Sequence, residues 1–128
     1  MKPLKDLTRI LFADDEDPVR GLVKIAFRQI GIQVLTCRDG HEALERVVDF
    51  KPDLIILDYD MPPGPNGLEV AKLMRERPEL TQTPIIFLSA NNQFESEGYT
   101  VLHKPIDPFQ FPAEIKNRFL QGSLNSPT

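Results

Sequence analysis

Residues 54–62 read LIILDYDMP. Four apolar side chains, Leu54 to Leu57, run directly into Asp58, with a second acid at Asp60 and proline after it. A short run that is apolar throughout is a central strand, covered on both faces, and strands of that kind belong to parallel sheets flanked by helices. The pattern repeats on either side. Ile10 to Ala13 stops at Asp14 and Asp15, and Ile85 to Leu88 stops at Ser89.

Helical patterns fill the intervals. After Asp17-Pro18, Val19, Leu22, Val23, Ala26, Phe27 and Ile30 recur at helical spacing; Asp17 is the expected cap, Pro18 suits the first helical position, and Gly31 stops the helix. Gln33 to Cys37 is the second strand. Asp39 to Phe50 is the second helix, with Ala43, Leu44, Val47 and Val48 inward. Tyr59 to Asn66 holds three prolines and a glycine and reads as loop, followed by a third helix over Gly67 to Arg77. Tyr99 to His103 is the fifth strand, and a last helix takes Pro112 in its first turn and ends near Leu120. Strands alternating with helices predict a doubly wound α/β domain with a five-stranded parallel sheet. In the order 2-1-3-4-5, ligands bind at the carboxyl ends of strands one and three.

The chain has 128 residues, which fits one domain, and 41% hydrophobic content, which fits a globular one. A net charge of −4 argues against nucleic acid as the main partner. Cys37 is the single cysteine, so no intrachain disulfide forms; it reads as a small buried filler in a reduced, cytoplasmic setting. The first residues carry no secretory pattern, and no apolar run is long enough to span a membrane.

The predicted strand ends carry the chemistry: Asp14 and Asp15, Asp58, Ser89, and Lys104 followed by Pro105. Carboxylates about 5 Å apart repel by roughly 3 kcal/mol per pair at an effective dielectric near 20. Either a proton is retained at raised pKa or a cation is bound. Oxygen ligands in a wet, partial site suit Mg²⁺, with Mn²⁺ as an acceptable substitute. A metal-bound carboxylate facing an ammonium is a receptor for a phosphoryl group, with Asp58 as nucleophile, Lys104 neutralising the group's oxygens and Ser89 donating a hydrogen bond to one of them.

The strings RILFADDED, LIILDYDMP, NGLEVA, PIIFLSA and HKPID, in that order, resemble the response-regulator receiver family of two-component systems. The resemblance runs from about residue 8 to residue 121, with 1–7 as an N-terminal extension and 122–128 as a flexible tail. It implies a flavodoxin-like fold with Asp58 as phosphoacceptor, Asp15 as a direct metal ligand and Asp14 as a ligand through water. The backbone carbonyl of Asp60 becomes a further ligand, Ser89 the switch hydroxyl and Lys104 the phosphoryl-binding lysine, followed by a cis proline. It implies a signalling phosphoacceptor that catalyses only its own phosphorylation and dephosphorylation. The donor is a sensor histidine kinase or phosphotransfer protein. No output domain follows, so a stand-alone receiver is expected, a monomer or weak dimer that signals to an unknown downstream protein without contacting nucleic acid or membrane.

The sequence departs from the family between Ser89 and Lys104. That stretch is short and has almost no apolar periodicity, so the fourth helix is expected to be missing or reduced to one turn. Val101 stands where the family often has an aromatic, with Tyr99 two residues earlier. Phe109 and Phe111 are expected to anchor the last helix as core residues, and His41 and His103 to be structural. Glu16 and Asp17 read as capping and solvated acids. Two other functions compete: a phosphorylation-independent adaptor using the altered face around the fourth helix, and a haloacid-dehalogenase-type phosphatase, suggested by the Asp-x-Asp of LDYD. Against the phosphatase, the acid pair here precedes the nucleophile.

Overall fold

A computed structural model describes residues 6–91, 98–122 and 124. The elements are β1 (Arg9–Ala13), α1 (Asp17–Arg28), β2 (Gln33–Cys37), α2 (Gly40–Phe50), β3 (Leu54–Asp58), α3 (Gly67–Arg75), a 3₁₀ turn (Pro78–Leu80), β4 (Ile85–Ser89), β5 (Thr100–His103) and α4 (Phe111–Leu120). All strand pairs are parallel, in the order β2-β1-β3-β4-β5. This is the expected doubly wound sheet.

Alternation along the strands divides the core in two. Leu11, Ala13, Ile55, Leu57, Ile85 and Phe87 pack with Ala43, Val47, Val70 and Met74, under α2 and α3. Ile10, Phe12, Leu54, Ile56, Ile86 and Leu88 pack with Val23, Phe27, Phe111 and Ile115, under α1 and α4. Every residue of β3 is buried. Burying a side chain such as Ile55 or Leu57 contributes about 2 kcal/mol, so β3 is the strand on which the sheet is centred.

Local chemistry sets the element ends. Asp39 caps α2 by accepting the Glu42 N–H at 2.9 Å. Asn66 and Glu69 form a reciprocal capping box that starts α3 directly after the loop from Asp58. In α1 the cap residue is Glu16 rather than Asp17, and it makes no side-chain cap. Asp17 instead occupies the first helical position, where the helix dipole favours it, and pairs with Arg20. Pro112 lies at the start of α4, as its missing N–H requires.

Three expectations need correction. Phe109 is 89% exposed and anchors nothing, whereas Phe111 is buried edge-to-face against Phe27 at 5.9 Å. Phe109 sits in the turn before α4, where its N–H is held by Asp107, and that turn directs its side chain outward. Leu7 and Leu124, assigned to the extension and the tail, are both buried in the α1–α4 face. Leu22 in α1 is half exposed, because Val23 and Phe27, with Val19 partly buried beside them, take the inward stripe. The fourth-helix expectation falls on residues 92–97, outside the described residues. Among the described residues there are four α-helices, and residues 90–99 connect β4 to β5.

Candidate functional site

The carboxyl ends of β1 and β3 lie side by side, because Ala13 pairs with Leu57. The next residues, Asp14 and Asp58, therefore leave the sheet together. Asp14 is fully buried: its N–H donates to the Cys37 carbonyl at 3.0 Å, and its Oδ1 accepts the Glu16 N–H at 2.9 Å. Its carbonyl accepts from Arg20 Nη1 at 2.6 Å. Asp58 is 5% exposed. The cis Lys104–Pro105 bond follows β5, and the Lys104 N–H donates to the Ser89 carbonyl at 2.8 Å, which carries the lysine side chain back over the sheet edge.

Lys104 Nζ lies 2.8 Å from Asp14 Oδ2 and donates to Asp58 Oδ2 at 3.2 Å; Glu16 Oε1 stands 3.8 Å away. Asp14 Oδ2 is buried, and among the described residues the Lys104 ammonium is its one polar partner. Asp14, Asp15 and Glu16 offer oxygens all within 4.8 Å of one another, with Asp15 and Glu16 open to solvent. A buried carboxylate oxygen beside two wet carboxylates is a donor set for a hard divalent cation.

The electrostatics agree. Burial, then the Asp14 charge, push the Asp58 carboxyl up to about 6, against the opposing pull of Lys104. Burial works against the Lys104 ammonium, yet its contacts with Asp14 and Asp58 outweigh that and raise its pKa. The Cys37 thiol is pushed up to about 12 by burial and by Glu42, which fits an inert filler.

Ser89 is buried at the end of β4, one position beyond the partner of Asp58. Its Oγ donates to the Asn91 carbonyl at 3.2 Å and accepts the Asn91 N–H at 3.1 Å, so it closes a local turn. Asp60 is exposed in the loop. Val101 pairs with Phe87, and Tyr99 packs on the Phe87 ring at 4.9 Å. His103 is exposed, and His41 lies against Gly64.

Two residues were missed. Glu16 belongs to the carboxylate group, and Arg20 secures the Asp14 carbonyl. The three- and four-residue spacing of Arg20 from Asp17 and Glu16 was the available signal. Gly67 was assigned to a helix start, but the space there is the point: a Cβ would stand 2.8 Å from the Asp58 carbonyl.

A model of the response regulator receiver domain matches residues 10–116. The chain belongs to that family. Phosphate regulon transcriptional regulatory protein PhoB of Pseudomonas aeruginosa is 36% identical over 115 residues, covering 84% of this chain and 49% of PhoB. The chain thus spans about half the length of the curated relatives it matches. Chemotaxis response regulator CheY4 of Vibrio cholerae superimposes with a TM-score of 0.79 at 29% identity, covering 89% of this chain and 99% of CheY4. Response regulator TrrA of Thermotoga maritima, solved in complex with Mg²⁺-BeF, gives a TM-score of 0.74 at 31% identity, covering 87% of this chain and 98% of TrrA. TrrA has also been solved in complex with the histidine kinase ThkA. Receiver domains are signalling phosphoacceptors rather than enzymes of metabolism. Among the described residues, no helix is long and apolar enough to cross a membrane.

Proposed function

We propose that this receiver takes a phosphoryl group onto Asp58 from a sensor histidine kinase or phosphotransfer protein, in the cytoplasm, and signals through protein–protein contact. The observation that carries this is the shared position of Lys104 Nζ, 2.8 Å from Asp14 Oδ2 and 3.2 Å from Asp58 Oδ2. In the transfer, a carboxylate oxygen of Asp58 bonds to phosphorus as the donor's N–P bond breaks, and the departing imidazole keeps the electron pair and takes a proton from water. Lys104 offsets charge on the transferred oxygens, and Ser89 supplies a hydrogen bond once its Oγ leaves Asn91.

Mg²⁺ fits the donor set, with Mn²⁺ as substitute. Asp14, Asp15, Asp58 and the carbonyl of Asp60 would hold it, and Glu16 adds a further carboxylate. When bound, the cation supplies charge neutralisation for a phosphoryl group on an already acidic edge. Asp58 must be ionised to attack, so a cation that favours the carboxylate also favours the nucleophile.

Incubation with acetyl phosphate and Mg²⁺, followed by intact mass, tests the chemistry. One added phosphoryl group, lost in Asp58→Asn and with EDTA, is expected. Labelling that survives Asp58→Asn refutes the assignment. A second reading, an adaptor that works without phosphorylation, draws on Val101 opposite Phe87, which leaves the end of β5 without the family's aromatic. It is favoured if partner binding is unchanged in Asp58→Asn and Lys104→Ala with and without acetyl phosphate.

A further inference from the structure

β2 ends the sheet and pairs with β1 alone. The Gln33 N–H donates to the Thr8 carbonyl at 2.9 Å, and the Cys37 carbonyl accepts the Asp14 N–H at 3.0 Å. In a parallel ladder, alternate residues serve one neighbour. Gln33, Leu35 and Cys37 therefore serve β1, and the N–H and C=O groups of Val34 and Thr36 point to the open side. Among the described residues, nothing pairs with them.

A groove of about 620 Å³ lies beside the first part of that edge, from Gly31 to Leu35. Ile32, Val34 and Leu35 give it an apolar strip, and Lys24 and Arg28 of α1 and Arg46 of α2 stand over it. Among the described residues, no acid lines it and none of the three cations forms a salt bridge. Three cations on one strand edge contrast with a chain of net charge −4. Arg46 also borders an adjoining depression beside Arg9, Glu45 and Asp49, where charge is balanced, so the cationic stretch rests chiefly on Lys24 and Arg28, on the α1 side of β2.

We propose that the β2 edge binds an extended acidic segment of a partner protein as an added strand. Its main chain pairs with Val34 and Thr36, and its carboxylates meet Lys24, Arg28 and Arg46. Charge selects this occupant. A second copy joined through the same edge would set the three cations against themselves, since a two-fold interface repeats the same patch. The chain's own first residues, MKPLK, carry Lys2 and Lys5 and suffer the same repulsion. Cations at a strand edge commonly block pairing between copies. Here they stand beside free backbone groups and an apolar strip, so what repels a copy attracts an acidic strand, whose main chain supplies affinity.

The test uses the full chain, ¹⁵N-labelled, and the peptide acetyl-Glu-Val-Asp-Val-Glu-Ile-Asp-amide. Its controls are a version with lysine at the acidic positions, one N-methylated at alternate residues, and an oligothymidylate of equal charge. The acidic peptide should shift the Val34 and Thr36 amide resonances and slow their solvent exchange. The lysine and N-methylated versions should bind at least about tenfold more weakly, a difference of about 1.4 kcal/mol. Arg28→Glu with Arg46→Glu should weaken the acidic peptide by at least about tenfold, with labelling by acetyl phosphate unchanged. If that double variant fails to fold, Arg28→Gln and the N-methylated peptide carry the comparison. Absence of binding, equal binding of the N-methylated peptide, tighter binding of the oligonucleotide, or protection of Val34 and Thr36 through dimerisation without peptide would each overturn the proposal.

Discussion

Replacing Asp58 by Asn should stabilise the metal-free protein at neutral and alkaline pH. The carboxyl titrates near 3.8 in an ordinary setting and near 6 in the fold, raised first by burial and then by Asp14. A raised carboxyl pKa means that the fold prefers the protonated form. The stability from that preference is fully present below about 3.8 and is lost as pH rises through about 6. Two pH units at about 1.4 kcal/mol each set a ceiling of about 3 kcal/mol. Asn is close to the protonated carboxyl in shape and charge and stays neutral at every pH. In EDTA, the stability of Asp58→Asn minus wild type should therefore be near zero at pH 4 and rise to about 1–3 kcal/mol by pH 8. For a chain of this length that is a melting-temperature gain of about 4–10 °C. Urea unfolding at several pH values in EDTA measures it directly. Mg²⁺ at ten times its dissociation constant should then return about 1.4 kcal/mol to the wild type and less to the variant. A variant that is less stable than wild type at pH 8 in EDTA, or a difference flat from pH 4 to 8, refutes the account of a repulsive, buried carboxylate pair.

Lys104→Met removes the ammonium that contacts both Asp14 Oδ2 and Asp58, and should lower metal-free stability at pH 8 by about 3 kcal/mol, with partial recovery in Mg²⁺; urea midpoints with and without the divalent ion check this. In the wild type, the raised Lys104 pKa contributes stability that is present below about 10.5 and is lost at higher pH, visible as a steeper alkaline fall than in Lys104→Met. Gly67→Ala places a Cβ 2.8 Å from the Asp58 carbonyl and 3.1 Å from the Tyr59 Cα, both backbone. It should cost about 1–3 kcal/mol and slow acetyl-phosphate labelling, read by thermal melts and by mass. Asp53→Ala leaves the N–H groups of Thr8 and Arg9 and the Thr8 hydroxyl without their shared acceptor at the far end of the sheet. It should destabilise by about 2–3 kcal/mol in thermal melts while labelling of the folded protein is unchanged.

The sheet was legible because β1, β3 and β4 are short apolar runs that stop at a polar residue of chemical interest. That same boundary put Asp14, Asp58, Ser89 and Lys104 at one edge once the strand order was known. What local pattern did not reveal was the packing of isolated residues. Phe109 and Phe111 share a type and a neighbourhood, but the turn held by Asp107 directs one outward, and only its neighbour reaches Phe27. Leu124 lies in a polar stretch that the sequence predicts to fray, yet it meets the α1–α4 core. Nothing in the local pattern marks Asp53, yet three donors from Thr8 and Arg9 converge on it. Each outcome depends on contacts between segments distant in sequence, which periodicity does not encode.

The unfavourable charge arrangement also determines which part of the fold senses the site. Lys104 serves two carboxylates at once. If its ammonium turns toward a phosphoryl group on Asp58, it serves Asp14 less well, and among the described residues Asp14 Oδ2 has no other donor to compensate. Asp14 is fixed at its other atoms: its N–H to β2, its Oδ1 to the Glu16 N–H and its carbonyl to Arg20. A change in charge at Asp58 is therefore felt first by the β1–α1 loop and the first turn of α1, where Glu16 and Arg20 sit. The Ser89–Asn91 turn is the second element affected, since Ser89 Oγ must abandon both bonds to reach a phosphoryl oxygen. With Val101 paired to Phe87 and Tyr99 already packed on that ring, the end of β5 holds no aromatic to relay that movement. Under the proposed chemistry the response starts at these two loops, one on each side of the strand that carries Asp58.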